Sequence, residues 1–64
     1  MNASKSIKFF QEEKNITSTE LAKALGTIPQ QMNRYRSQED IKLSTALKLC
    51  DIFDITIQEF IDRS

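Results

Sequence analysis

The chain has no histidine, no tryptophan and only one each of cysteine, glycine and proline, and its nine basic side chains are cancelled by nine acidic ones. Each shortage excludes something. Without histidine the usual zinc-finger ligand sets cannot form, and the commonest proton carrier of acid–base catalysis is missing. A lone cysteine, Cys50, rules out an internal disulfide and points to a reducing compartment. Its helical spacing with Leu43, Ala46, Leu47 and Phe53 makes it a small buried apolar residue rather than a reactive thiol. Glycine and proline are too scarce for a flexible linker or a second unit, so a single domain over residues 1–64 is expected. No apolar run approaches membrane-spanning length and the N-terminus carries no apolar signal segment, which predicts a cytoplasmic protein with no membrane partner. The carboxylates Glu12, Glu13, Asp51 and Asp54 accompany no nucleophile and base in a workable arrangement. They read as solvated helix faces, and neither an enzyme, a metal site, a cofactor nor a small-molecule ligand is expected.

What is present centres on Thr17 to Arg36, TSTELAKALGTIPQQMNRYR, where two helical patterns meet at the only glycine. Thr17 or Ser18 can cap the first of them, and Glu20 places a carboxylate near its amide end. Leu21, Ala22 and Leu25 repeat at helical spacing, and Gly26 follows where positive φ ends a helix at least cost. Thr27 or Ile28 then precedes Pro29, which tolerates a first helical turn because no amide hydrogen is needed there. Met32 and Tyr35 share the side that faces the preceding helix. The opposite side carries Gln30, Gln31, Asn33 and Arg34 with no acidic residue. Glutamine and asparagine amides match the donor and acceptor pair of adenine, and the arginine fork matches the two guanine acceptors. Two helices joined by a short glycine-containing turn, the second bearing such groups, form a helix-turn-helix; the alternative is a helical hairpin with an ordinary polar exterior.

Zero net charge opposes nucleic-acid binding, since the phosphate backbone attracts basic surface. The distribution weakens that objection. From Lys23 to Lys48 five basic residues face two acidic ones, a balance of plus three; from Leu49 to Ser64 Arg63 faces Asp51, Asp54, Glu59 and Asp62, a balance of minus three.

From about Ile7 to Ile61 the chain resembles the lambda-repressor-like helix-turn-helix family, which includes phage Cro proteins and XRE-type regulators. The matching residues are Ile7 and Phe10, Ile16-Thr17, Glu20-Leu21-Ala22, Leu25-Gly26, Met32 and Tyr35, continued by Leu43, Thr45, Leu47, Leu49, Phe53, Ile57 and Phe60. The resemblance implies an all-α, compact five-helix domain with helices 2 and 3 forming the helix-turn-helix. It further implies a Cro-like or repressor-like transcriptional regulator of phage or chromosomal origin, acting in the bacterial cytoplasm and at the nucleoid when bound. Its partner would be double-stranded operator DNA, occupied as a weak homodimer with the segment from about Pro29 to Arg36 in the major groove. Gln30 is then the base-edge residue near the helix start, Gln31 meets phosphate or a base, Asn33 and Arg34 reach the flanks, and Ile28 lies where it meets a thymine methyl. Amides around Ser18 and Thr19 hold a phosphate. Ser37, Gln38, Glu39 and Asp40 form a polar loop where the family places backbone amides and small side chains against phosphate, and Lys42 adds a charge contact; the alternative is a solvated connector, preferred for Glu39 and Asp40, whose carboxylates phosphate would repel. Two positions depart from the family. An arginine in the first helix and a glutamate after the recognition helix often form an ion pair; the matching residues here are Gln11 and Arg36, so that pair is lost. Ser18 stands where many relatives carry a glutamine that reaches the DNA backbone, which weakens or removes that contact.

The flanking segments complete the expected fold. Asn2 or Ser4 caps a first helix running to about Lys14, and Asn15 ends it in a left-handed conformation. Phe9 lies off its apolar stripe and either fills the core edge against the last helix or belongs to a partner surface. A fourth helix from about Lys42 to Phe53 is expected to bury Leu43, Ala46, Leu47, Cys50 and Phe53, with Leu49 and Ile52 widening the stripe. Asp54 ends it, and Thr56 with Glu59 forms a capping box for a last helix to about Asp62. No C-terminal strand follows for dimerisation. Helical surface at Ile52, Ile55, Ile57 and Ile61 is therefore the candidate dimer contact, with core filling as the alternative for each. A different function class, a helical protein-binding module of the antirepressor or antitoxin-adaptor kind, uses the same apolar surface.

Overall fold

The computed structural model describes residues 2–38 and 40–64, so Glu39 of the expected polar loop lies outside the described residues. Among these residues the chain forms α1 (Ala3–Glu13), α2 (Ser18–Leu25), α3 (Pro29–Tyr35), α4 (Leu43–Phe53) and α5 (Ile57–Asp62). No described helix is long and apolar enough to cross a membrane.

The helix starts follow from local chemistry. Asn2 accepts from the Lys5 amide at 3.4 Å, which makes it the cap of α1. Thr17, rather than Ser18, caps α2: its hydroxyl accepts from the Glu20 amide at 3.1 Å while Glu20 accepts from the Thr17 amide at 3.2 Å. Thr56 and Glu59 repeat this reciprocal box at α5, with both bonds at 3.1 Å. Each box satisfies donors that no carbonyl of the helix can reach. α3 has no side-chain cap; Ile28 is extended before it and Pro29 occupies its first turn, as the ring requires.

Three helix endings need a left-handed residue, and one glycine serves only one of them. Asn15 (φ 56°), Gly26 (φ 76°) and Asp54 (φ 58°) take these positions. Asparagine and aspartate are the non-glycine residues that visit this region most readily. In every case the next residue turns back on its helix: the Ile16 amide donates to the Gln11 carbonyl at 2.9 Å, Thr27 to Ala22 at 2.9 Å and Ile55 to Cys50 at 3.0 Å. This ending reverses the chain within a few residues and brings Ile16 and Ile55 back onto the core.

That core contains Ile7 and Phe10 of α1, Leu21 and Ala22 of α2, Met32 of α3, Ala46, Leu49, Cys50 and Phe53 of α4, and Phe60 of α5. The rings of Phe10 and Phe53 lie 5.7 Å apart. Ser6 is fully buried and donates to the Phe60 carbonyl at 2.6 Å, supplying a partner to one of the last carbonyls of α5. Phe9 is half-buried beside Phe10, and the Arg63 guanidinium lies 4.3 Å from its ring centre. It therefore fills the core edge near the C-terminal segment. Cys50 is buried as expected, and its thiol is pushed up by burial and then by Asp51 and Glu59.

One expectation is corrected in α4. Leu43 and Leu47 are not buried but 66% and 47% exposed, while Leu49 is fully buried. At about 100° per residue, Leu49, Phe53, Ala46 and Cys50 fill an arc of about 100°, with Leu43 and Leu47 beyond its edge. The apolar side chains of α4 span about 220° of its circumference, more than one buried stripe needs, so the phase is open and packing with Phe10 and Phe60 in the core sets it. Leu49→Ala should accordingly cost about 2 to 5 kcal/mol in urea unfolding, whereas Leu47→Ala should cost less than about 1 kcal/mol. The reverse order would contradict this phase. At Gly26 an added Cβ meets nothing within 4 Å, so the residue is required for its backbone alone. Gly26→Ala should lose about 1 to 2 kcal/mol, and Gly26→Asn a smaller part of it, in the same unfolding assay.

Candidate nucleic-acid interface

α3 is positioned by what it buries. Met32 is fully buried and Tyr35 half-buried against the core, which turns Gln30, Asn33 and Arg34 outward as one exposed stripe. These positions are separated by three and four residues, so they lie on one side of the helix. Gln31 is half-buried at the margin. Ile28 and Pro29 are exposed immediately before the helix, Ile28 at 58%. No carboxylate lies on α3. A surface of amides and one guanidinium, free of acidic side chains, can offer both donors and acceptors to a base edge and does not repel phosphate.

Two clefts lie at the ends of the helix-turn-helix. On one side the end of α3 meets the start of α4, where Gln31, Gln38, Asp40 and Lys42 line a cleft with Tyr35 and Thr45. Ser37 is exposed and its hydroxyl donates to the Arg34 carbonyl at 3.0 Å, closing the last turn of α3. Lys42 is exposed at the N-cap of α4. The loop residues Ser37, Gln38 and Lys42 thus stand near the exposed stripe of α3.

On the other side the start of α2 meets α1. Ser18 is half-buried and Thr19 exposed. The Ser18 hydroxyl is not directed only to solvent: it accepts from Arg36 Nη1 at 3.0 Å and from Gln11 Nε2 at 3.3 Å. Gln11 also donates to the Ile16 carbonyl at 3.2 Å, so it grips the α1–α2 turn through backbone and side chain together. The lost ion pair between positions 11 and 36 is therefore replaced by a hydrogen-bonded chain through Ser18. Position-by-position comparison with the family marks these residues only as departures. The serine that joins them shows in no periodic pattern, and the spacing of residues gives Arg36 no contact role.

The expected dimer residues lie elsewhere. Ile52, Ile55 and Ile57 are half-buried and pack against their own core, while Ile61 is 45% exposed. Among the described residues, no three or more histidine, cysteine, aspartate or glutamate side chains come together in a way that could hold a metal ion.

The family comparison agrees with this geometry. Residues 7–64 match the model of the Cro/C1-type helix-turn-helix DNA-binding domain. Comparison with curated proteins and with solved structures gives no match. With five helices, a glycine turn between α2 and α3, and a family match over nearly its whole length, the chain belongs to the Cro/C1-type helix-turn-helix DNA-binding domains.

Proposed function

We propose that this chain is a sequence-specific transcriptional regulator that acts as a single domain and occupies palindromic operator DNA as a dimer, with α3 in the major groove. The observation that carries this reading is the exposed, acid-free stripe of Gln30, Asn33 and Arg34 held against the domain by Met32 and Tyr35. Gln30, in the first turn, meets a base edge, and Asn33 and Arg34 reach the flanks on either side of it. Ile28 meets a thymine methyl beside Pro29. Gln31, Ser37, Gln38 and Lys42 follow the backbone on one side, and the amides of Ser18 and Thr19 do so on the other. Regulation is by occupancy. Two subunits joined through helical surface around Ile52, Ile55 and Ile57 would read half-sites about one helical turn, roughly 34 Å, apart.

One observation favours a rival. Leu43 and Leu47 are exposed one turn apart on α4, as a protein-binding module would display them. Binding to a library of duplexes separates the two readings. Specific binding that falls steeply with salt supports the regulator, and no binding even at low salt supports the module.

Two outcomes test the assignment of residues. Gln30→Ala or Arg34→Ala should each cost about 1 to 3 kcal/mol on the preferred site and relax preference at one position, as read by selection from random duplexes. Lys42→Ala should weaken preferred and unrelated duplexes alike. Uniform losses in all three variants would remove α3 as the reading element. Footprinting should protect two half-sites; protection of one isolated half-site would contradict the dimer.

A further inference from the structure

Among the described residues the exposed large apolar side chains are Ile28, Leu43, Leu47 and Ile61. Only Leu43 and Leu47 stand one turn apart on a single helix. At about 100° per residue, and counting from Leu43, Leu47 lies at about 40° round α4, Asp51 at about 80°, Ser44 at about 100° and Lys48 at about 140°. All five are exposed, so the leucines form one edge of a continuous free face. Beyond Lys48 comes Thr45, which with Ser44 lines the cleft shared with Gln31 and Tyr35 of α3. One edge of the face is therefore apolar, and the other leads to the helix-turn-helix. Ile55 extends the apolar edge: its amide donates to the Cys50 carbonyl at 3.0 Å, and it lines a cleft with Cys50 and Asp51. Ile52, at about 180°, lies across the core stripe from the leucines.

This face is complementary to a second copy of itself. Lys48 and Asp51 carry opposite charges three residues apart beside the leucines. When two α4 helices pack antiparallel about a two-fold axis midway between these residues, each Lys48 faces the partner's Asp51 and each Asp51 the partner's Lys48. At about 1.5 Å per residue the same register sets Leu43 about 10 Å from the axis, opposite the turn that holds the partner's Ile55. Leu47 fills the seam between. Such an axis returns each side of one helix to the same side of the other, so both α3 helices emerge together on the Lys48 side. Two recognition helices on one side are what a palindromic duplex requires. An unrelated partner would need neither the reciprocal charges nor this symmetry.

We propose that α4 is a self-association face: Leu43 and Leu47 pack against α4 and Ile55 of a second copy, with Lys48 and Asp51 paired reciprocally across a two-fold axis. This names the interface of the operator-bound dimer and rests on that reading. It keeps Ile55 in the contact and leaves Ile52 and Ile57 to the core they already pack against. An interface of standard size covers about 800 Å² of each partner, about a fifth of this chain's 4216 Å². Two leucines rimmed by one reciprocal charge pair cover less. The dimer is therefore weak when free and is completed on DNA, where two half-sites hold the copies together.

The test measures self-association of the full chain at low salt, by sedimentation up to millimolar concentration and as cooperativity on a duplex with two half-sites, with thermal unfolding followed in parallel. Wild type should associate in both. Leu47→Glu should weaken association on the order of tenfold or more, because it sets two carboxylates in the seam. Lys48→Asp and Asp51→Lys should each weaken it roughly three- to tenfold. An equimolar mixture of these two variants should recover the wild-type value, since each supplies the charge that the other lacks. Association that Leu47→Glu leaves unchanged would overturn the proposal. Because the charge reversals leave the apolar seam intact, a mixture that fails to recover association overturns it too, even if Leu47→Glu melts early. A wild-type chain that stays monomeric and fills two half-sites independently would also overturn it, and would leave the leucines to a different protein. A chain that associates through these residues but binds no duplex would keep the interface and overturn the operator reading instead.

Discussion

A helix of seven residues does not hold itself together in water, because the cost of nucleating it exceeds what so few hydrogen bonds return. α3 therefore exists only as part of the tertiary fold, and the burial of Met32 in the cluster containing Leu21 and Ala22 is the constraint on which the rest depends. That burial fixes the rotation of α3 about its axis. The rotation in turn decides which polar side chains face outward. Gly26 makes it possible by ending α2 in a left-handed turn, so that only Gly26, Thr27 and Ile28 separate the two helices.

The neutral chain separates its charges by element. α3 carries no acidic residue, whereas Asp51, Asp54, Glu59 and Asp62 are exposed along the second half of α4, its end and α5. Long-range attraction to DNA is weak for such a chain, and the local field at the contact surface has to supply most of the phosphate affinity. The replacement of a first-helix arginine and a later glutamate by Gln11 and Arg36 bears on this directly. A family ion pair keeps both charges within the fold; here the neutral amide leaves the guanidinium, held on a serine hydroxyl, with its charge uncancelled by Gln11.

Much of this fold is legible in the residues because its signals are local. The capping box at Thr56 and Glu59, the left-handed endings at Asn15 and Gly26, the helix stop at Asp54, and the proline at the start of α3 each depend on a few neighbouring side chains. The residues leave the outcome open where it depends on partners distant in the chain. α4 is apolar on more than half of its circumference, so periodicity alone points to Leu43 and Leu47, and only packing with the aromatic residues of α1 and α5 selects Leu49 instead. Ser6 and Ala3 carry too little hydrophobic signal to mark them as buried. The Gln11–Ser18–Arg36 chain is a matter of three side chains from three elements, and no spacing rule connects them.

The central claim is that the outward stripe of α3 is the surface that meets DNA. Titration of the isotope-labelled chain with a selected operator duplex, followed through the side-chain amide resonances of Gln30, Gln31 and Asn33, tests it most directly. The account predicts that these resonances shift together and saturate with the duplex. Unmoved amides on α3, with shifts gathered around Leu43 and Leu47 on α4, would contradict it.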